Sequence, residues 1–408
     1  MRFCFVTTFY PPYNFGGDGI AVQRLARALV KRGHHVTVVH DVDAYLALSG
    51  GVEPLGTHGD DAVEVIALKS RAGIISPILS QQLGRPTLHR RRFRQILDDG
   101  RYDVINFHNP SLAGGPGVFS YGGDATRLMT AHDHWLVCPT HVLWRHKREP
   151  CPARQCFRCQ LRYHRPPQWW RMTGLLERQL EHIDVFIAMS EFSRTKHYEF
   201  GFPREMEVLP FLLPDPVPGE GEVGERPHQR PYFIFVGRLE KIKGLQHVIP
   251  LFREYPNADL LVAGDGTYAD ELVRLSGDSE RVKLVGRIPA DSLARYYTHA
   301  IATIVPSVCF ETFGIVIVES FRYRTPVIAR NIGPFPETIA QSGGGELFQT
   351  DEELLASMSR LQSDWAYRNH LGAHGYRAYV STWSESAVVP RYLEIVARAR
   401  ARRELNSA

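Results

Sequence analysis

Two glutamates in the C-terminal half of the chain have the residue type and spacing to bind hydroxyl groups. Glu311 and Glu319 flank the segment 312–315. The apolar run 300–305 predicts a buried strand, and residues 314–323 have the composition of a helix packed against a sheet. Glu311 then lies in the loop between them. Glu319 lies about two turns into the helix, on roughly the same side.

The backbone between these two acids offers a seat for an anion. At a helix N-terminus, the N–H groups of the first turn have no acceptors within the helix and can bind phosphate. The donors would come from Thr312, Phe313, Gly314 and Ile315. The order of acid, anion seat and second acid matches the hexose hydroxyls, diphosphate and ribose hydroxyls of a nucleotide sugar. The alternative is an ordinary strand–helix loop with one surface glutamate and one structural glutamate.

Cations and glycines follow two earlier strands of the same half. Glycine after a strand leaves room for a ligand, and two cations can neutralise a diphosphate leaving group. Surface cations before a helix are also common, so an ordinary structural role remains an alternative. The residues concerned are Gly237, Arg238, Lys243, Gly264 and Gly266.

The first half carries a similar set of candidate residues. Gly16 and Gly17 lie between the first strand and the first helix, where backbone can approach an anion, although a plain flexible loop fits equally well. His108 and His132 each close a short buried strand, and Asp133 follows His132. In a doubly wound domain the site lies at the carboxyl ends of the strands. A buried structural histidine is the alternative in both cases.

The elements that would position these residues alternate along the chain. Short apolar runs alternate with helical stretches in both halves, which predicts parallel sheets covered on both faces. A stretch rich in Pro, Gly and Glu separates the halves. We therefore predict an α/β protein of two doubly wound, Rossmann-like domains facing a central cleft. The predicted boundaries are 1–212 for the N-terminal domain, 213–230 for a linker, 231–382 for the C-terminal domain and 383–408 for a helix crossing back to the first.

Four of the six cysteines are concentrated in residues 135–171. Their pattern is C-x12-C-x4-C-x2-C, and its closing C-x2-C is typical of a zinc knuckle. Clustered thiols in a cytoplasmic protein more often bind metal than form disulfides. We predict a structural zinc site, with an iron–sulfur cluster or free, redox-active thiols as alternatives. Its ligands would be Cys138, Cys151, Cys156 and Cys159.

Composition and charge limit the class of protein. The hydrophobic content of 44% and charged content of 23% are typical of a soluble globular protein. No run is long enough to cross a bilayer, and the N-terminus has no signal-peptide pattern, so we expect a cytoplasmic protein. Basic residues are concentrated at 85–101, predicted to be helical from Pro86 to Asp98, and at 145–178. Such blocks suit nucleic acid, anionic lipid, a phosphorylated acceptor or a solvated helix face.

Together, these motifs resemble the retaining, metal-independent glycosyltransferases of family 4, which have the GT-B fold. The resemblance covers nearly the whole chain and is most specific in the second half. The cysteine-rich block departs from the family pattern as an insertion after His132. The matching segments are Gly16-Gly17, His132-Asp133, 188–191, Gly237-Arg238, Lys243-Gly244, 264–266, 306–307, 311–314, Glu319 and 326–329.

The resemblance implies roles for individual residues. Glu311 would contact hydroxyls of the donor sugar, and Glu319 would hold the ribose. Arg238 and Lys243 would bind the diphosphate, and backbone around Ile288 would contact the base. In the N-terminal domain, His132 would lie by the reacting centre, and we place His108 and Asp133 on the acceptor side.

The implied reaction is transfer of a hexose-type sugar from a nucleoside diphosphate, UDP or GDP rather than ADP, to an acceptor hydroxyl. The anomeric configuration would be retained and no catalytic metal would be required. The acceptor would be a saccharide, a lipid-linked molecule or a small molecule. Contact with an anionic membrane surface would place the enzyme at the inner membrane face. The alternatives are a nucleotide-sugar epimerase on the same fold and a nucleic-acid-binding protein, although we expect no nucleic-acid partner.

Overall fold

Two parallel β-sheets form the centres of two units of the chain. The computed structural model describes residues 1–54, 62–217 and 224–407. The first unit comprises Met1–Leu212 and Val388–Ala408, and the second comprises Leu213–Ala387. Residues 218–223, part of the segment predicted as a linker, lie outside the described residues.

The first unit contains a seven-stranded parallel sheet. Its described strands are β1 (Arg2–Val6), β2 (His35–Asp41), β3 (Glu64–Leu68), β4 (Val104–Phe107), β5 (Thr126–Ala131), β8 (Val185–Ala188) and β9 (Met206–Val208), with β6 (Trp144–Arg145) and β7 (Glu149–Pro150) forming a separate antiparallel ribbon. The order across the sheet is β3-β2-β1-β4-β5-β8-β9. Val6 at the end of β1 is aligned with Val39 of β2 and Phe107 of β4.

The second unit contains a six-stranded parallel sheet. Its strands are β10 (Tyr232–Val236), β11 (Asp259–Ala263), β12 (Val282–Gly286), β13 (Thr303–Val305), β14 (Val327–Arg330) and β15 (Gly345–Phe348). Their order is β12-β11-β10-β13-β14-β15, which repeats the arrangement around the first strand of the first unit. The two sheets confirm the predicted α/β fold class.

In both sheets the order of the strands reverses beside the first strand of the unit. The reversal lies between β1 and β4 in one sheet and between β10 and β13 in the other. At such a point the connections leave to opposite sides and open a crevice at the carboxyl ends of the strands. The candidate residues Gly16, His108, Arg238 and Glu311 all lie in loops that follow these strands.

The central strands are buried because helices cover both faces of each sheet. Phe3 and Phe5 of β1 and Phe233 and Ile234 of β10 are completely buried. Such continuous apolar runs are typical of parallel strands without a solvated face. Burial of these side chains supplies the main stabilisation of each unit.

Helices connect the strands in both units. In the first unit they are α1 (Gly17–Lys31), α2 (Val42–Leu48), α3 (Ile75–Leu83), α4 (Arg90–Leu97), α5 (Cys156–Arg162), α6 (Leu175–Leu180) and α7 (Glu191–Glu199). In the second they are α8 (Leu245–Glu254), α9 (Ala269–Ser276), α10 (Ala290–Thr298), α11 (Ile315–Arg322), α12 (Phe335–Ser342), α13 (Asp351–Ser363) and α14 (Trp365–Ala378). A π-helical turn, Tyr379–Trp383, leads into α15 (Glu385–Ser407).

Helix α4 is shorter than the helix predicted from Pro86 to Asp98. It begins at Arg90, because the N–H of Thr87 donates to the carbonyl of Arg85 at 2.8 Å and shapes the preceding residues as a turn. Its apolar side chains are buried, and its four arginines are exposed: Arg90, Arg91, Arg92 and Arg94. The basic side chains of this helix therefore face solvent.

Helix α15 packs into the first unit from Val388 onwards. The amide of Asn106 on β4 donates to the buried hydroxyl of Tyr392 at 3.1 Å, and its oxygen accepts from Thr130 on β5 at 3.0 Å. Arg403 forms an ion pair with Asp184 at 3.2 Å. Among the described helices, none combines the length and apolar composition that a bilayer crossing requires.

Glycines let the loops after β10 and β11 pack backbone against backbone. The N–H of Gly237 donates to the carbonyl of Ala263 at 3.0 Å, and that of Leu239 to Asp265 at 2.8 Å. A Cβ atom on Gly264 would lie 1.8 Å from the Gly237 carbonyl oxygen, and one on Gly266 would lie 2.4 Å from that of Leu239. The structure thus requires Gly264 and Gly266 for loop packing, which sets the position of Arg238.

Substitution Gly264→Ala is expected to destabilise the second unit. The new Cβ would collide with fixed backbone at a φ of +147°, so the cost should be about 2 kcal/mol or more. Thermal unfolding of the variant measures this loss. The control is Gly224→Ala, where a Cβ atom would meet nothing within 4 Å. Equal melting temperatures for the two variants would contradict the packing argument.

Candidate functional site

A lysine and a glutamate from two adjacent loops of the second unit form an ion pair. Lys243 ends the 3-10 turn Lys241–Lys243 after β10, and Glu311 lies in the loop after β13. The Lys243 Nζ and Glu311 Oε1 atoms are 2.6 Å apart. The hydroxyl of Ser307 donates to the same Oε1 at 2.7 Å. The side chains of Lys243 and Glu311 are only 24% and 19% exposed, so the carboxylate is held in place by the protein itself.

Both members of this pair are charged at neutral pH. Burial alone would lower the pKa of Lys243, but the Glu311 carboxylate reverses this effect and leaves that pKa raised. Burial alone would raise the pKa of Glu311, yet Lys243 and the Ser307 hydroxyl leave it lowered. A persistent charge pair in a largely buried position is a preorganised feature of the kind found at functional sites.

Arg238 provides a second cation at this end of the sheet. It follows Gly237 directly after β10, and its guanidinium forms an ion pair with Glu240 at 2.5 Å. Its side chain is 50% exposed. Its charge is close enough to affect the pKa of both Lys243 and Glu311. Arg238 therefore adds accessible positive charge beside the buried pair.

Helix α11 begins directly after this loop. Gly314 is its N-cap residue with a φ of +84°, and no side chain caps the helix start. A Cβ atom on Gly314 would lie 2.6 Å from the ring of Phe335, so glycine is needed for both conformation and space. The positive end of the helix favours an anion here, but the helix begins only at Ile315, so Thr312 and Phe313 of the predicted donor segment precede it. Glu319 is partly exposed and lies about one turn into the helix rather than the predicted two, because the helix begins only at Ile315.

Two other predicted donor-site features also follow strands, one in each unit. Ile288 is half-buried in the loop after β12, and the N–H of Gly264 donates to the carbonyl of Gly286 on that strand at 2.8 Å. In the first unit, Gly16 is the N-cap of α1 without a side-chain cap, and Gly17 is the first residue of the helix. A Cβ atom on Gly19 would lie 2.4 Å from the Asn14 side-chain oxygen. Close packing around the start of α1 thus requires glycine at Gly19.

The two predicted histidines of the first unit are in direct contact. His108 follows β4 and His132 follows the adjacent strand β5. The distance from His108 Nδ1 to His132 Nε2 is 2.8 Å, so one ring donates to the other. The ring of His132 also stacks on Phe211, with centroids 5.1 Å apart. Phe211 has no sequence signal that would identify this role.

Both histidines are neutral at neutral pH. Burial lowers the pKa of His132 to about 4, although the Asp133 carboxylate opposes the shift. Burial, followed by the effect of His132, lowers the pKa of His108 well below its usual range. A neutral pair with one shared hydrogen bond can donate or accept a single proton but does not attract an anion by charge.

Asp133 is fixed by three donors. It accepts from Asn109 Nδ2 at 2.9 Å, from His141 Nδ1 at 2.7 Å and from the backbone N–H of Trp135 at 2.8 Å. Burial would raise the pKa of Asp133, but His141 and these hydrogen bonds leave it lowered, so the group is a carboxylate. Sequence analysis assigns no role to Asn109 or His141. Asn109 has a φ of +80°, which the sequence pattern does not reveal.

The four clustered cysteines line one small cavity. Cys138 follows β5, Cys151 follows β7, and Cys156 and Cys159 belong to α5. The cavity has a volume of about 20 Å³, and Arg145 and Arg154 also line it. All four thiols are free of disulfides. These residues could therefore hold a metal ion.

A second group of metal-ligand atoms occurs at the end of β2. Ligand atoms of Asp41, Asp43 and His89 all lie within 4.8 Å of one another and are buried. Asp41 accepts from the N–H of Ala44 at 3.0 Å and caps α2, while Asp43 accepts from the N–H of Ser70 at 2.7 Å. Both carboxylates thus have structural roles. Sequence analysis does not identify this group, because its members come from separate segments.

Basic side chains surround a larger cavity beside this group. It has a volume of about 500 Å³ and lies between the end of β3 and the start of α4. Its charged lining residues are Lys69, Arg71, Arg91 and Arg92. His89 also lines it, and burial lowers the pKa of that ring. Concentrated positive charge at a concave surface attracts anionic groups.

His132 is expected to make the stability of the first unit depend on pH. Its folded pKa of about 4 lies below the usual value of 6.5, so the unfolded chain binds a proton that the folded chain excludes. Its contribution is fully present above about pH 6.5 and is lost as the pH falls through about 4. The expected loss is on the order of 1–3 kcal/mol.

Urea unfolding of the wild type and of His132→Gln at about pH 7 and about pH 5 measures this effect. The wild type should lose more free energy of unfolding than the variant over this interval. His35→Gln, on an exposed position, is the control and should behave like the wild type. The same pH dependence in His132→Gln as in the wild type would contradict the assignment.

Comparison with known proteins identifies the family. A family model of glycosyl transferases group 1 matches residues 220–378, and one of glycosyltransferase family 4 matches residues 15–211. The chain is 32% identical to glycogen synthase of Mycobacterium tuberculosis over 379 residues, covering 85% of this chain and 81% of that protein. It is 24% identical to phosphatidyl-myo-inositol mannosyltransferase of Mycolicibacterium smegmatis over 410 residues, covering 95% of this chain and 93% of that protein.

Solved structures share the fold over nearly the full length. Sucrose-phosphate synthase from Thermosynechococcus elongatus matches with a TM-score of 0.72 and 20% identity, covering 98% of this chain and 100% of that chain. HepE from Anabaena, solved in complex with UDP-glucose, matches with a TM-score of 0.66 and 16% identity, covering 98% of this chain and 100% of that chain. The chain therefore belongs to the group 1 glycosyltransferases.

Proposed function

We propose that this glycosyltransferase moves a hexose from a nucleoside diphosphate to an acceptor hydroxyl, with retention of the anomeric configuration and without a catalytic divalent metal. The Lys243–Glu311 pair supports this most directly. It places a fixed cation and a fixed carboxylate at the carboxyl ends of β10 and β13, with a distance of 2.6 Å between them. One group suits a phosphate and the other a sugar hydroxyl.

Positive charge on the protein would stabilise the leaving group. Breaking the bond at the anomeric carbon builds negative charge on the nucleoside diphosphate. Lys243 and Arg238 supply two cations, and the start of α11 supplies backbone N–H donors. Fixed donors of this kind stabilise a developing charge without reorganisation. They take the place that a divalent metal holds in other transferases.

The two acids of the motif have separate tasks in this proposal. The described contacts of Glu311 with Lys243 and Ser307 both use its Oε1 atom, which leaves Oε2 to accept from a hexose hydroxyl. Glu319 lies about one turn into α11, partly exposed, and we assign it to the ribose hydroxyls. The carboxylates orient the donor, and the cations act on its phosphates.

The donor nucleotide proposed here is UDP or GDP rather than ADP. The UDP-glucose bound by the structurally similar HepE makes a UDP-hexose the first candidate. The mannosyltransferase among the relatives also supports a hexose. For the acceptor, the basic cavity beside α4 favours a molecule with an anionic group, such as a phosphorylated lipid or saccharide.

We assign the histidine pair of the first unit to the acceptor hydroxyl. Retention fits attack from the face of the leaving group, in which the departing phosphate takes the proton of the acceptor hydroxyl. Neutral His132 can then orient a hydroxyl by one hydrogen bond without competing for that proton. Asp133, held as a carboxylate, positions the loop on the acceptor side.

A donor screen followed by product analysis tests the proposed function. The matched nucleotide sugar should raise the melting temperature, because it binds only the folded protein. Nucleotide should then be released only when an acceptor is present, and NMR of the product should show the anomeric configuration of the donor. Brief treatment with EDTA should leave turnover unchanged. Inversion, conversion of the donor alone to an epimer, or loss of turnover that magnesium restores would each overturn the proposal.

Substitution Lys243→Ala is expected to lower turnover by roughly a hundredfold or more, because the diphosphate loses a fixed cation. Steady-state kinetics with the matched donor measures the effect. Lys241→Ala is the matched control, since Lys241 is exposed and only two residues away. It should retain turnover close to that of the wild type. Equal turnover in the two variants would remove Lys243 from the proposed mechanism.

A further inference from the structure

We propose that Cys138, Cys151, Cys156 and Cys159 bind one structural zinc ion, and that this ion fixes the loop carrying Asp133 and His141. The zinc site is independent of the proposed transferase activity. The four sulfur atoms would surround the ion tetrahedrally and leave no coordination position open, as in structural zinc sites.

The segment around the cysteines has little regular structure to hold it. Residues 132–171 contain the two-residue strands β6 and β7, the seven-residue helix α5 and the start of a 3-10 turn. Five non-glycine residues there have positive φ angles, which ordinarily cost of order 1 kcal/mol or more each. They are His141, Leu143, His146, Lys147 and His164. Such a conformation needs a strong local cross-link, and a metal with four ligands provides one.

The cavity between the thiols has the size of an ion site. Its volume of about 20 Å³ leaves room for one small occupant between the thiols. Val137, Leu143 and Phe200 form apolar walls. The backbone N–H of His146 donates to the Cys159 sulfur at 3.4 Å. N–H donors to sulfur stabilise metal-bound thiolates.

Positive charges around the cavity match the charge of a zinc site. A zinc ion with four thiolates carries a net charge of about −2. Arg145 and Arg154 line the cavity. The guanidinium of Arg171 lies over the Trp170 ring at 4.4 Å and donates to the Trp135 carbonyl at 2.5 Å. Arg145 also pairs with Glu149, so Arg154 and Arg171 provide the positive charge that would offset the site.

Binding would draw the sulfur atoms together. In the described part of the chain, the group Asp41, Asp43 and His89 alone brings three ligand atoms within 4.8 Å of one another, so the thiols are more widely spaced. Zinc–sulfur bonds of ~2.3 Å place tetrahedral sulfurs roughly 3.8 Å apart. Changes in the rotamers of the cysteine side chains would bring the sulfur atoms to this spacing. Four donors of the right chemistry already face the same space.

Hydrogen bonds connect Cys138 to the loop of the first-unit site. The N–H of Cys138 donates to the carbonyl of His134 at 2.7 Å, and the N–H of His141 donates to the carbonyl of Cys138 at 3.0 Å. The N–H of His134 donates to the carbonyl of His141 at 3.0 Å and closes the loop. His141 Nδ1 lies 2.7 Å from Asp133 Oδ2. A ligand that fixes Cys138 therefore fixes the orientation of Asp133.

The metal content of the purified full-length protein tests the zinc site. We expect about one zinc ion per chain, and serine variants of each of the four cysteines should lose it. Cys4→Ala and Cys309→Ala are matched controls, because both residues are buried thiols outside the cluster; they should retain zinc. Protein grown with added zinc that contains no bound zinc, or variants that keep it, would overturn the proposal, as would bound iron with sulfide.

Cobalt replacement provides a test that does not depend on the folding of variants. Cobalt added to the metal-depleted wild-type protein should give the visible bands of a tetrahedral thiolate complex. Hydrogen exchange before and after zinc removal then tests the effect on the loop. Exchange in residues 134–141 should become faster on removal of the metal. Absence of thiolate bands would exclude the four-cysteine site, and unchanged exchange would exclude the effect on Asp133.

Discussion

The ion pair between Lys243 and Glu311 determines the arrangement of the second-unit site. It joins the loops after β10 and β13, the two strands on either side of the point where the strand order reverses. The contact is possible because the loops already approach through backbone. The N–H of Val308 donates to the carbonyl of Ile242 at 2.9 Å, and a Cβ atom on Gly244 would lie 2.0 Å from the Pro306 carbonyl oxygen. The charges are therefore assembled before a ligand arrives.

The first unit uses the same strand ends with a different electrostatic arrangement. The contact between His108 and His132 is neutral, whereas Asp133 and His141 form a polar pair around a carboxylate. Burial keeps the two histidines neutral, because no carboxylate hydrogen-bonds to either ring among the described contacts. Three hydrogen-bond donors keep Asp133 ionised. Of two adjacent residues, His132 is therefore neutral and Asp133 is ionised.

Much of the fold follows from local patterns in the sequence. The short apolar runs that alternate with helical stretches become buried parallel strands, for example β10 and β11. The short edge strand β9 and the helices α2 and α12 are not predicted, because such short segments give no clear periodicity. The start of α4 differs because a turn at Arg85 to Thr87 competes with the helix. The amino-acid composition of the segment does not reveal this competition between a turn and a helix.

The site is predictable where a motif fixes residues close in sequence, as with Glu311, Gly314 and Glu319. It is not predictable where partners are far apart. Ser307 lies within the motif, but its bond to Glu311 depends on the loop conformation. Asn109 and Phe211 reach the histidine loop only through tertiary packing. Gly264 is placed correctly at a strand end, but its role in backbone packing appears only in the structure.

The chain connectivity makes the second unit an insertion within the first. Residues Leu213–Ala387 are continuous, whereas the first unit is completed only by Val388–Ala408. The buried hydroxyl of Tyr392 satisfies Asn106 across 286 residues of sequence. β4 is therefore synthesised long before its partner on α15. By the time α15 is made, every segment of the second unit is already present. The core of the first unit can therefore be completed only after the whole second unit has been synthesised.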